Sequence, residues 1–258
     1  MDTQTYKTYL TRWLARMQNS SFCSYTDDGE DNYGETQNNE IAQATNTVTA
    51  FGTAPMQYEQ SDIHVITVIG QIEGHMVLPP QNKTTKYEHI IPQLIAIEES
   101  KTIKGVILIL NTVGGDVEAG LALAELISTM SKPVVSLVLG GGHSIGVPLA
   151  LSAKHSVIAS TAAMTIHPIR MNGLFIGSPQ TYDYMNKMQE RIIGFVVDHS
   201  DITRDKFTEL MLNTGDIANE IGTVLVGDEA VKCGLIDEVG GIDTAMKCLR
   251  ELIDKENK

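Results

Sequence analysis

The hydrophobic positions of this chain change period in a regular order. Ile63–Ile69 (IHVITVI) alternates as a half-buried strand does. Gln71–His75 reads as a turn, and the proline-containing stretch 78–86 reads as a loop. Tyr87–Glu99 then sets Ile90, Ile91, Leu94, Ile95 and Ile97 as the apolar members of a helix. Gly105–Leu110 (GVILIL) is a continuous apolar run, the pattern of a strand covered on both faces. A glycine turn at Gly114-Gly115 leads into a helix over Val117–Met130. The series then repeats, with an apolar strand (Val134–Leu139), a glycine run (Gly140–Gly142) and a short apolar helix (Ile145–Ala153). A further strand follows and ends at His167, before a proline. Strand, glycine turn and helix in repetition predict βαβ units and a mainly parallel α/β sheet.

Beyond His167 the pattern predicts an extended arm or hairpin at 171–179, then a long amphipathic helix over Gln180–Val197 carrying Tyr184, Met188, Ile192, Phe195 and Val196. A helix over Asp205–Leu212, a polar turn region at 213–222, a strand at Val224–Val226 and a helix at Glu229–Cys233 come next. Leu235–Val239 reads as the last strand and Ile242–Lys255 as a closing helix. At the other end, Tyr6, Tyr9, Leu10, Trp13, Leu14 and Met17 fall at helical spacing within 5–18. Residues 18–60 are polar and acidic, with few branched apolar side chains before Ile41, so they read as a flexible arm. The chain therefore divides into an N-terminal helix and arm (1–60) and a folded body (61–258).

Composition narrows the function classes. A length of 258 residues suits one large domain or one domain with an appendage. A formal charge of −13 argues against nucleic acid as a partner, because phosphate contact needs clustered Lys and Arg. Cys23, Cys233 and Cys248 form neither a CxxC nor a Cys/His pair at zinc spacing. An odd, sparse count suits a reducing cytoplasm, and no metal or cofactor is expected. The N-terminus lacks a basic segment followed by an apolar run, so no signal peptide is expected. Pro133–Ala153 is uncharged over 21 positions, long enough to span a bilayer. Its glycines and prolines break it into a strand and a buried helix, so no integral membrane span is expected.

The chemistry concentrates between Lys132 and His167. Ser144 stands at a strand-to-helix turn with Gly142 and Gly146 close by, where backbone can approach a substrate carbonyl and a helix N-terminus favours developing negative charge. A serine hydroxyl needs a base, an orienting acid and oxyanion donors. His167 is the candidate base, since the following Pro168 biases it toward a strand-end conformation. His143, His155 and His199 are its competitors, although His143 adjoins the serine and successive side chains point apart. Gly114-Gly115 can supply further N–H groups, and in a parallel sheet both glycine turns lie at the carboxyl ends of strands. For the acid, Asp183, Asp198, Asp201, Asp205, Asp216 and Asp228 all follow His167, and the residues alone leave the choice open.

Taken in order, Gly114-Gly115 after GVILILN, the GGHS turn, the IHP histidine, the long helix and EAVKCGLID (229–237) resemble the Clp protease proteolytic subunit family, over roughly 63–247. They are most similar to its translocation-enhancing branch. The resemblance implies a Clp protease/crotonase-like fold of stacked βαβ units with a protruding handle helix at Gln180–Val197. It implies a Ser-His-Asp endopeptidase with Ser144 as nucleophile, His167 as base, and the N–H groups of Gly115 and Ile145 as oxyanion donors. Gly114, Met171 and Gly173 would hold substrate backbone, the last two on the extended arm. Asp216 stands 49 residues after His167, where the family has its acid; counted back from EAVKCGLID, the same place falls on Gly222. The implied partners are peptide or unfolded-protein substrate, a homo-oligomeric ring, and an ATPase unfoldase as the source of any ATP dependence. The location implied is the cytoplasm. Gly142-His143-Ser144-Ile145-Gly146 also fits the G-x-S-x-G turn of α/β-hydrolases, but those run serine, acid, histidine along the chain. Two other readings are a crotonase-like acyl-CoA enzyme and a weakly active or non-catalytic scaffold in secretion.

Overall fold

The computed structural model describes residues 61–171, 178–215 and 221–256. The expected N-terminal helix and arm, Gly173 and Asp216 lie outside the described residues. Within them the strands are β1 (Ile63–Glu73), β2 (Thr84–Lys86), β3 (Gly105–Gly115), β4 (Val134–Gly142), β5 (His155–Ile158), β6 (Ala163–Ile166), β7 (Thr223–Val226) and β8 (Glu238–Val239). The helices are α1 (Tyr87–Glu99), α2 (Val117–Ser128), α3 (Gly146–Leu151), α4 (Pro179–Asp198), α5 (Arg204–Leu212), α6 (Asp228–Lys232) and α7 (Ile242–Glu256). The main sheet runs β2-β1-β3-β4-β5-β8 with every neighbouring pair parallel. This is the stacked βαβ architecture of the Clp protease/crotonase-like fold, with α4 as the long helix.

The apolar run of β3 is covered on both sides, as its pattern predicts. Leu108 and Leu110 pack into the larger core with Leu94 of α1, Leu123 of α2 and Leu149 of α3. Ile107 faces the other way, into a smaller core with Ala245, Leu249 and Ile253 of α7. Each of these buried branched side chains contributes about 1.5–3 kcal/mol relative to exposure. The uncharged stretch 133–153 is β4 and α3, and no helix among the described residues is long and apolar enough to cross a membrane.

Two expected boundaries move, each for a local reason. Gln71–Glu73, expected in a turn, continues β1 because it pairs in parallel with Thr84–Lys86. Leu235 and Ile236, expected in the last strand, instead donate their N–H groups to the Ala230 carbonyl at 3.0 and 3.1 Å and close α6. Only Glu238 and Val239 remain as strand.

The end of β4 departs from the main sheet, and this departure positions the site. The β3–β4 register shifts between Leu110 and Thr112. There the Asn111 side chain takes over from the ladder, its Oδ1 accepting the Gly141 N–H at 3.0 Å. Gly141 then pairs with Ala163 of β6, and β6 pairs antiparallel with β7. Thr112 secures the neighbouring strand, donating to the Gly70 carbonyl at 2.6 Å and accepting the Gly114 N–H at 3.0 Å.

The long helix α4 is capped by Ser178, whose side chain accepts the Thr181 N–H. Its buried residues, Ile193, Phe195 and Val196, all lie toward its C-terminus, whereas Tyr182 and Tyr184 are exposed. A two-pronged Arg191–Glu118 pair at 2.5 and 3.0 Å ties α4 to α2 at the surface.

Candidate active site

Ser144 stands between the end of β4 and the start of α3 with φ +57°, the only positive φ at a non-glycine residue among the described residues. Left-handed backbone at serine is strained by about 1–3 kcal/mol and must be held from outside. Three hydrogen bonds hold it here. The Ser144 N–H donates to the Thr165 carbonyl at 2.8 Å, and the His143 N–H donates to the Thr112 carbonyl at 3.1 Å. The Ser144 carbonyl in turn accepts the Val147 N–H at 2.9 Å, opening α3. A Cβ on Gly114 would lie 2.7 Å from the Ser144 Cβ, so the glycine turn and the serine touch directly.

A cleft of about 210 Å³ opens beside this turn, with Ser144, Ile145, Gly115 and His167 among its lining residues. Its apolar walls include Val113, Ile166, Ile192 and Phe207. The structure thus brings the predicted serine, histidine and two backbone donors to one cavity. In the β1–β3 ladder, Asp116 donates its N–H to the Ile72 carbonyl while Gly115 is the residue paired with Ile72. The Gly115 N–H therefore points away from β1, beyond the end of β4. Ile145 itself is buried, which fixes the peptide after the serine.

The Nδ1 of His167 lies 2.6 Å from the Pro168 carbonyl oxygen. A carbonyl can only accept, so Nδ1 carries a proton, and whenever the ring is neutral the lone pair is on Nε2. The chain after His167 is steadied from α4, where Gln189 Oε1 accepts the Ile169 N–H at 2.8 Å. Gly222, at φ +141°, packs against the same histidine; a Cβ there would lie 2.9 Å from the His167 Cβ and would run into the Ile166 carbonyl. No side chain fits at residue 222. Among the described residues no carboxylate is hydrogen-bonded to His167. Asp228, one of the sequence candidates, is paired with Lys232 instead.

The competing histidines go elsewhere. His155 pairs with Glu238 at 2.7 Å, and His199 stacks on Phe195 with ring centroids 4.0 Å apart. His143 turns its Nδ1 to the Thr165 hydroxyl at 2.8 Å. Burial, and then the nearby His167, hold the His143 pKa below its ordinary value. The unfolded chain, with an ordinary value near 6.5, takes up a proton that the folded state refuses. The stability gained from neutral His143 is full above about pH 6.5 and is lost as the pH falls toward the lower folded value. Between about pH 7.5 and 5.5 the melting temperature of His143→Gln should therefore fall less than that of the wild type; equal slopes would exclude this coupling.

Of the other predicted residues, Met171 is exposed at the edge of the described chain. Asn111, Thr112, Thr165 and Gln189 were not foreseen. Each acts on backbone or a neighbouring side chain across a distance in sequence, and none carries a motif.

Comparison with known proteins bears on the same region. The Clp protease family profile matches residues 59–243. The translocation-enhancing protein TepA of Halalkalibacterium halodurans is 65% identical over 200 residues, covering 78% of each chain. A putative protease of Methanocaldococcus jannaschii is 27% identical over 72% of this chain and 67% of its own. The ATP-dependent Clp protease proteolytic subunit of Streptococcus sanguinis is 25% identical over 68% of this chain and 83% of its own.

Proposed function

The chain belongs to the Clp protease family, and on that footing we propose that it is a serine endopeptidase using Ser144, His167 and the backbone donors of Gly115 and Ile145. The observation that carries the proposal is the His167–Pro168 hydrogen bond at 2.6 Å, since it leaves Nε2 as the lone-pair nitrogen of a histidine that lines the same cleft as Ser144. In this mechanism Nε2 takes the Ser144 hydroxyl proton as Oγ attacks the scissile carbonyl. The N–H groups of Gly115 and Ile145 bind the oxyanion. His167 then gives the proton to the leaving amine, an acyl-serine remains, and water releases it by the reverse sequence. Gly114, Met171 and Gly173 would align the peptide backbone. Asp216 is assigned as the acid from the family's spacing. The working form is a homo-oligomeric ring in the cytoplasm that takes peptide or unfolded chains, with any ATP dependence residing in a separate unfoldase.

A second reading is a weakly active or non-catalytic scaffold in protein translocation. Two observations favour it: no side chain fits at Gly222, and the 65% identical relative bears a translocation name. Membership of a protease family gives no support to an acyl-CoA reaction. A biotinylated fluorophosphonate separates the first two readings. The peptidase reading expects label on the native full-length chain, mapped by peptide mass to Ser144. Absence of label on the intact assembly would favour the scaffold.

A further inference from the structure

At the opposite end of the parallel sheet from Ser144, three elements converge on a different chemistry. His155 opens β5 beside Val135, the N-terminal part of β4. Glu238 lies in β8, and Cys248 on α7. His155 Nε2 is 2.7 Å from Glu238 Oε1, and Cys248 Sγ donates to the same oxygen at 3.1 Å. The three ligand atoms all lie within 4.8 Å of one another. We propose that His155, Glu238 and Cys248 form a site for a borderline-soft divalent cation of the zinc class.

The donor set is imidazole nitrogen, thiolate sulfur and carboxylate oxygen, the combination that zinc accepts in tetrahedral geometry at about 2.0–2.3 Å. Tetrahedral ligands at that distance stand about 3.3–3.7 Å apart, so the 2.7 and 3.1 Å contacts must each open by roughly half an ångström to admit the ion. All three residues are partly exposed, and a fourth position is left to solvent. The outer contacts also suit a metal. Asp237 Oδ2 lies 3.6 Å from His155 Nδ1 and is fixed by the Ser156 N–H and hydroxyl, each at 2.7 Å. A carboxylate this near a ligating imidazole raises its basicity through its charge. Without a cation, Glu238 presents only a negative field to the Cys248 sulfur, which donates to its Oε1. A divalent ion would reverse the sign of that field, binding thiolate and carboxylate together. It would also fasten β8, which meets β5 through only Glu238 and Val239, to the helix that follows.

The test uses full-length protein stripped with chelator and then titrated with Co²⁺. The expected result is a near-ultraviolet thiolate-to-cobalt charge-transfer band that Zn²⁺ abolishes by competition. Cys248→Ser should remove the band, and His155→Gln should weaken Zn²⁺ binding by about 100-fold, with Asp237→Asn losing about 10-fold. No band in the wild-type protein would overturn the proposal. So would a band that persists in Cys248→Ser, which would assign the thiolate to Cys23 or Cys233. Because Ser144 labelling is not the readout, failure here leaves the peptidase reading untouched, and the converse holds.

Discussion

Ser144→Ala should leave the fold intact and lower peptide hydrolysis by at least about 10³-fold, with fluorophosphonate labelling lost. The fold survives because the strain at Ser144 is held by backbone groups, namely its own N–H on the Thr165 carbonyl and the Val147 N–H on its carbonyl. Alanine keeps both bonds but supplies no oxygen to attack. His167→Ala should lose nearly as much, and the double variant scarcely more, since nucleophile and base act as one unit. Asp216→Asn should lose less than either. The Pro168 carbonyl already holds the His167 Nδ1 proton, which is half of what an acid in such a triad supplies. Its other half, stabilising the imidazolium charge, a neutral carbonyl supplies only weakly. Steady-state hydrolysis of a fluorogenic peptide by the four variants orders these effects. Undiminished turnover by Ser144→Ala would remove Ser144 from the chemistry altogether.

Gly115→Ala should be the most damaging single methyl in the site. Gly115 has φ +154°, and a Cβ there would lie 2.7 Å from the Ile72 nitrogen and closer still to the Ile72 carbonyl oxygen. Both obstacles are backbone of a paired strand, so no side chain can swing aside. Relief requires β1 and β3 to separate where Asp116 bonds to the Ile72 carbonyl at 3.0 Å. Overpacking of this kind destabilises by about 1–3 kcal/mol. It also rotates the Gly115 N–H away from the cleft, and loss of one oxyanion donor lowers turnover by about 10²–10³-fold. Urea unfolding and the peptide assay, run together, read both effects. Retention of wild-type stability and turnover would refute this account of the glycine.

The elements were legible where one force dominates. GVILIL reads as a doubly covered strand because nothing but burial on both faces explains six apolar residues in a row, and β3 is so covered. The helix at Tyr87–Glu99 was legible from its isoleucines, and its bounds agree with expectation. Strand ends were less legible: Gln71–Glu73 owes its extension to β2, a partner of three residues that the loop-like 78–86 concealed. The serine and histidine could be picked out because turn chemistry is local. Their supports could not, since Asn111 reaches 30 residues to Gly141 and Gln189 reaches 20 back to Ile169. The same holds for the His155–Glu238 pair, 83 residues apart, which no zinc spacing rule detects.

Ser144 and the chain after His167 are tethered to different elements. Ser144 is anchored to β6 through Thr165, inside the buried body. The segment after His167 is anchored to α4 through the Gln189–Ile169 bond, and Tyr182 and Tyr184 in the N-terminal half of α4 are exposed. A tilt of α4 reaches the imidazole through this bond and leaves the hydroxyl's own anchor in place. The alignment of imidazole and hydroxyl is thus expected to follow the position of α4, because only one of the two is tied to that helix.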